Sequence, residues 1–388
     1  MKCNVSYKYM FIAIGILCPF FSACNYADGE GSGSENAVYM ETPDNKGIAN
    51  FTLEPDGGTT YLTPRLANIS QSPVTIQVSY DKEALDKYNK ANGASYEPLP
   101  PSAFKLADAE GNDLSGSEGI RVPAGDFSAK IMVKVGQLDS KDFPANKKYA
   151  IPLSITGASK YSLIPSQRSA VLLLNRSILS SVAKVSGGEG IRIKPAGMHT
   201  KAEWTIQMSA IYSSLTTAYL SNGTGGEFYT RISSTAGIQV KNGRDGDDTW
   251  TQIPLQAGKW LHITYVHKDK KTTVYVNGKV QKVFENSAIT FGENSMIIVG
   301  NSGYRNDYLR EIRLWDKALT ESEINDYLYL PMDPETPHLI SYLPLSKEAG
   351  IKDLKAPADM ENVTTKARIE YVENVKFPAD ELVIVNQE

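Results

Sequence analysis

Gly258-Lys259-Trp260-Leu261-His262-Ile263-Thr264-Tyr265, then Val274-Tyr275-Val276-Asn277-Gly278, then Glu311-Ile312-Arg313-Leu314-Trp315-Asp316-Lys317-Ala318-Leu319-Thr320 form the series whose reading decides the fold. Residues 261–266 and 272–276 alternate apolar with polar side chains, as half-buried strands do. Asn277-Gly278 supplies the two positive-φ residues of a type I′ turn, so a hairpin continues into residues 279–284. Residues 309–315 alternate again and run into Thr320-Glu321-Ser322-Glu323, a capping box that predicts a short helix. Trp260, Tyr275, Ile312, Leu314 and Trp315 are assigned to the core of this unit.

These motifs, in this order, resemble the laminin-G-like, concanavalin-type jelly roll. The resemblance covers roughly residues 178–329, with Ser341-Tyr342-Leu343-Pro344-Leu345 as a closing strand. Upstream, residues 74–80 and 129–135 alternate, and 170–174 is a short apolar run. Between them Asp81 to Lys90, followed by Asn92-Gly93, predicts one capped helix. One helix among short strands and Pro/Gly turns points to a second sandwich. Tyr88-Asn89-Lys90-Ala91-Asn92-Gly93-Ala94-Ser95-Tyr96-Glu97-Pro98-Leu99-Pro100, with Tyr149-Ala150-Ile151-Pro152-Leu153-Ser154-Ile155, resembles the N-terminal domain of unknown function of many Bacteroidota surface lipoproteins. Relatives with that domain often carry a second module that binds or degrades glycans. Tyr88 and Tyr96 are read as packing the helix and its loop onto the sandwich.

The expected fold class is therefore all-β: an Ig-like sandwich over residues 37–176 and a laminin-G-like jelly roll with a C-terminal extension over 178–388. In front of them stand Lys2 and Lys8, an apolar run from Tyr9 to Phe21, and Phe21-Ser22-Ala23-Cys24. The run falls short of the ~20 residues a bilayer span needs and reads as a signal peptide over 1–23. The sequence before Cys24 resembles a lipobox, with Phe21 where Leu is usual, which implies a lipidated Cys24. Residues 24–36, rich in Gly and Ser with Asp28, Glu30 and Glu35, read as a flexible acidic spacer. They also resemble the surface-export signal of Bacteroidota lipoproteins, which implies the outer face of the outer membrane.

All 3 cysteines, Cys3, Cys18 and Cys24, lie in this leader, so the folded part offers no disulfide, cysteine nucleophile or thiolate metal site. Loss of Lys2 and Lys8 takes the formal charge from −4 to −6, and no basic stripe invites nucleic acid.

A sugar presents an apolar C–H face and a rim of hydroxyls, so its site needs an exposed aromatic plate beside carboxylate, amide or guanidinium groups. Two segments have that composition: residues 241–250 and 301–308. Trp250 and Tyr304 are the candidate plates; Arg244, Asp248, Arg305, Asn306 and Asp307 are the candidate polar partners. Asp245, Asp247 and Asp248 could also offer oxygen ligands to calcium, although their spacing departs from the EF-hand. The Glu-x-Asp-x-x-Glu run of concanavalin-type glucanases is missing, as are His-Glu-x-x-His and Gly-x-Ser-x-Gly. His262 and His267, five apart on one strand, should face opposite sides. The expectation is a surface lipoprotein that binds polysaccharide or N-glycan without cutting it, serving neighbouring glycosidases or an outer-membrane transporter. A scaffold or adhesion protein, or a glycoside hydrolase acting through carboxylates that meet only in space, are the alternatives.

Overall fold

The computed structural model describes residues 36–43, 45–114, 119–188, 190–195, 197–215, 220–222, 228–242, 249–285, 291, 297–299, 305–358 and 360–386. Cys24 and the other residues of 1–35 lie outside them. The chain is almost wholly β, with helices at Lys82–Asn92 and Glu321–Asp326 and three short 3₁₀ turns among the described residues.

The N-terminal sandwich packs two sheets. One runs in the order Ser162–Leu163, Ala37–Glu41, Gly57–Leu66, Ile131–Gly136, Phe104–Ala107. The other runs Ile48–Leu53, Ser169–Arg176, Tyr149–Ala158, Val74–Tyr80, Ile120–Val122, with Glu97–Pro98 alongside Tyr149–Ala158. Val38, Leu62, Val133 and Val135 meet Phe51, Ile76, Ile151 and Leu153 in a buried core. Tyr149–Ala158 is buried on both faces over its first half, because the helix lies across its outer side. There Leu85 packs with Ala150, Val171 and Leu173, and Tyr88 and Tyr96 close the cluster. Asp81, one residue ahead of the helix, caps it by accepting from the Ala84 amide at 3.3 Å. Asn89 clamps the following loop: its Oδ1 accepts from the Tyr96 amide at 3.1 Å and its Nδ2 donates to the Tyr96 carbonyl at 2.9 Å. The Tyr88–Tyr96 motif is thus a packing device, with the rings edge to face at 6.0 Å.

The second sandwich has the two sheets of a jelly roll. The large antiparallel sheet runs Lys279–Phe284, Lys271–Val276, Trp260–Lys268, Trp204–Ile211, Arg305–Trp315, Ile178–Ser186, Arg368–Phe377, with Leu339–Leu343 paired to the far end of Arg305–Trp315. The smaller sheet runs Gly237–Asn242, Phe228–Ser233, Leu220–Asn222, Ile297–Val299, Ile191–Ile193, Val363–Thr364. Ile206, Met208, Ile263, Tyr265, Ile312 and Leu314 from the first meet Ile193, Ile232, Ile238 and Val240 from the second. The hairpin turn has φ of 50° at Asn277 and 74° at Gly278, as a type I′ turn requires. The capping box is present, with Thr320 Oγ1 accepting from the Glu323 amide and Glu323 Oε2 accepting from that of Thr320.

The outer face of the large sheet is not solvated, as plain alternation would suggest. Residues 319–343 strap across it, and Val266, Trp315, Ile324, Leu339 and Tyr342 form a second core beneath. Trp260 belongs to a third cluster with Ile178, Ile211, Val375 and Phe377, against which Ala145 of the first sandwich packs. The chain changes sandwich at the buried Ser177, whose amide donates to the Leu53 carbonyl at 2.7 Å. Lys148–Asp326 at 2.5 Å and Lys376–Glu54 at 2.6 Å tie the two units across the seam.

Candidate functional site

Strand alternation sets the chemistry of the smaller sheet's outer face. Thr230, Ile232, Ile238 and Val240 point inward and are buried, which turns Arg231 and Gln239 to the outer side, where Arg231 is exposed and Gln239 is covered, at 9% exposure. Arg231 pairs directly with Gln239, and Gln239 makes an antiparallel bridge to Trp250, so the three occupy successive positions across one face. Arg231 is exposed and Trp250 is half-buried at the edge. The Gln239 Nε2 donates to Thr249 Oγ1 at 2.9 Å, and its Oε1 has no partner among the described residues.

The segment carrying Trp250 is fastened to the sheet. Thr251 donates its amide to the Ile238 carbonyl at 2.8 Å and accepts the Ile238 amide on Oγ1 at 2.9 Å. Lys282 Nζ donates to the Trp250 carbonyl at 2.8 Å. Gly237, at φ 78°, makes the close approach feasible: a Cβ there would run into Thr251 Oγ1 and the Ile253 carbonyl. The backbone that carries the indole is thus fixed to the sheet, which lowers the ordering cost of binding.

Of the other residues nominated from sequence, Arg244, Asp248 and Tyr304 lie outside the described residues, as do Asp245 and Asp247 of the calcium candidate. Among the described residues no three His, Cys, Asp or Glu side chains gather as a metal site. Arg305 pairs through its backbone with Ser186, where the register slips between Val185 and Ser186. Asn306 sits in that bulge at φ 67° and is exposed. Asp307 is 6% exposed, and its Oδ1 accepts from the Ser213 amide at 2.8 Å and from Ser213 Oγ at 2.9 Å. It latches the chain leaving Trp204–Ile211.

The registers also fix where the two nominated segments leave the sheet. Val299, ahead of residues 300–304, pairs with Leu220; Asn242, ahead of 243–248, ends the strand that pairs with Phe228, next to Asn222. Asn242 and Val299, the last described residues before the two segments, therefore lie at opposite ends of the sheet. Arg231 and Gln239, which sequence reading passed over, stand beside Trp250. Their signal was the alternation in Thr230-Arg231-Ile232 and Ile238-Gln239-Val240, but only the pairing register brings it to Trp250.

A second polar cluster lies under the strap. Ser209 Oγ and His262 Nδ1 are 2.6 Å apart, and Glu311 accepts from Arg313 Nη2 at 2.6 Å and from Tyr342 Oη at 3.1 Å. Burial, and then the charges of Arg310 and Arg313, push the His262 pKa down to about 3. The space between Ser209, His262, Glu311 and Arg313 is about 10 Å³, no more than one water needs. Glu311 is neutralised by two arginines and sealed from any sugar. His267 lies on the opposite face, stacked on Trp204 at 5.1 Å and bonded to Thr272 Oγ1 at 2.9 Å.

Residues 186–325 match the concanavalin A-like lectin/glucanase superfamily. Residues 34–162 match a family described as an N-terminal domain. The chain thus joins that N-terminal domain to a concanavalin A-like domain. No curated protein matches the sequence. Among solved structures, a Bacteroides ovatus ATCC 8483 protein described as a "putative carbohydrate binding protein" aligns over 89% of this chain and 99% of its own, at 21% identity and a TM-score of 0.55. That likeness shows the two-sandwich fold. EndoBT-3987 of Bacteroides thetaiotamicron, solved with a Man5GlcNAc product, aligns over 36% of this chain and 31% of its own at 21% identity and a TM-score of 0.27. The SAP-like pentraxin of Limulus polyphemus aligns over 50% and 94% at 15% identity and 0.32. The last two scores are too low to carry an argument.

Proposed function

We propose that this protein is an outer-membrane lipoprotein, anchored through Cys24 and displayed at the cell surface, whose concanavalin A-like domain binds a glycan without cutting it. The observation that carries the reading is the row Arg231–Gln239–Trp250 on the outer face of the smaller sheet. The indole offers a plate for the C–H face of a sugar and the exposed Arg231 brings a guanidinium to the same face, while the buried Gln239, held by Thr249, sets the spacing between them. Arg244, Asp248, Tyr304, Arg305 and Asn306 are proposed as further glycan contacts. The sealed Ser209–His262 pair and the neutralised Glu311 support a binding role over hydrolysis, since hydrolysis needs two carboxyl groups facing the sugar. A single shallow site of this kind holds a glycan at about a millimolar, near −4 kcal/mol, and display of many copies on a membrane raises the effective affinity. Captured glycan would pass to surface glycosidases and a transporter.

The test is a glycan array probed with soluble residues 25–388, with and without calcium, beside a Trp250→Ala variant. The reading expects discrete positive glycans that the variant loses. Silence across the array would refute it.

A further inference from the structure

A pair of exposed lysines stands at one edge of the N-terminal sandwich, far in sequence from Trp250. Lys105 and Lys134 stand directly opposite each other on neighbouring antiparallel strands, and both are exposed. Like charges in that position destabilise a sheet. Neither lysine makes an ion pair or hydrogen bond among the described residues.

Both lysines line a cleft of about 370 Å³, within the range of small-ligand sites. Its apolar walls are Phe104, Leu138 and Phe143, and Gln137 adds an amide. Arg176 holds those walls in place by donating to the Phe143 carbonyl at 2.7 Å and the Leu138 carbonyl at 3.4 Å. From the cleft, the outer face of Gly57–Leu66 leads away over Tyr61, which is 53% exposed, to Phe127, which is 42% exposed beside Arg65. Lys130 Nζ lies 6.0 Å from the Tyr61 ring centre and Arg65 4.6 Å from that of Phe127. From Thr59, opposite Lys134, to Arg65 the strand covers about 20 Å. Among the described residues Glu41 pairs with Arg65 on this track, at 2.7 Å.

We infer that this cleft and track bind an anionic glycan: a carboxylated or sulfated sugar unit placed between Lys105 and Lys134 on the Phe104–Phe143 wall, with the chain continuing over Tyr61 and Phe127. Two exposed ammonium groups carried on directly opposed positions can converge on one anion. Exposed rings flanked by cations suit sugars whose C–H faces alternate with charged groups.

The inference stands apart from the Trp250 site and can fail alone. The experiment titrates the full soluble chain with an oligogalacturonate, with chondroitin sulfate, and with methyl-esterified galacturonan as the neutral counterpart. Measurements compare wild type, Lys105→Gln/Lys134→Gln, Tyr61→Ala and Trp250→Ala. The expected result is binding of at least one anionic glycan and not the neutral one, weakened tenfold or more by the double lysine substitution and severalfold by Tyr61→Ala, and unchanged by Trp250→Ala. The double substitution should leave Tm equal or higher, since it removes a repulsion, so lost binding will not reflect unfolding. Equal binding of neutral and anionic chains, binding unaffected by the lysine substitutions, or no binding of either anion would overturn it.

Discussion

Replacing Glu311 by Gln keeps the side chain's shape and removes its charge. Glu311 is 3% exposed, and the guanidiniums it serves, Arg310 and Arg313, are 1% and 2% exposed. Its Oε2 takes the Arg313 Nη2 at 2.6 Å and Nε at 3.2 Å, and its Oε1 lies 3.5 Å from Arg310 Nη2. The same arginines reach the strap: Arg310 donates to the Tyr329 carbonyl at 2.8 Å, and Arg313 to that of Tyr327 at 2.9 Å and to that of Leu330. Without the carboxylate two buried cations face each other with no counter-charge, a situation that costs about 3–5 kcal/mol. For a domain of this size each kcal/mol lowers Tm by about 2–4 °C, so a fall of roughly 10 °C is expected. Chemical denaturation followed by tryptophan fluorescence reads the loss. Hydrogen exchange should place it at residues 327–330, because their carbonyls lose ordered donors. A change below about 1 kcal/mol, with exchange there unaltered, would refute the view that this cluster fastens the strap.

Two further predictions concern pH and the Trp250 mount. The folded pKa of His262, at about 3, lies below the ordinary 6.5, so its stability contribution is whole above pH 6.5 and is lost as pH falls toward 3. Between pH 7 and 5 wild type should lose about 2 kcal/mol more than His262→Asn in urea unfolding, and parallel pH curves would count against it. Gly237→Ala forces an alanine into a left-handed conformation and against Thr251, so it should cost about 1–3 kcal/mol in denaturant. It should also weaken glycan binding without touching the indole, and full retention of affinity would show that the mount is not needed.

Much of the jelly roll was legible in the chain because its signals are local. The type I′ residues Asn277-Gly278 and the Thr320–Glu323 box need no knowledge of distant partners. Asp81 and Gly93 likewise bracket the first helix. What stayed hidden depends on long-range pairing. The charges in Leu309-Arg310-Glu311-Ile312-Arg313 read as a solvated strand face, yet a strap arriving from residues 319–343 buries them. Trp250 could be named as a plate from composition, but its neighbours Arg231 and Gln239 come from strands whose register is set by the turn at Ser234-Thr235-Ala236. Asp307, chosen for its chemistry, is spent on Ser213. Nothing in the local sequence distinguishes a carboxylate that latches a loop from one that meets a ligand.

The central claim is capture without cleavage on the Arg231–Gln239–Trp250 face. Its most direct test is calorimetric titration of the soluble chain with a glycan found positive on the array, followed by chromatography of the recovered ligand. The account predicts saturable binding that Trp250→Ala weakens at least tenfold, with the glycan recovered intact. Shortened glycan, or affinity unchanged by the substitution, would contradict it.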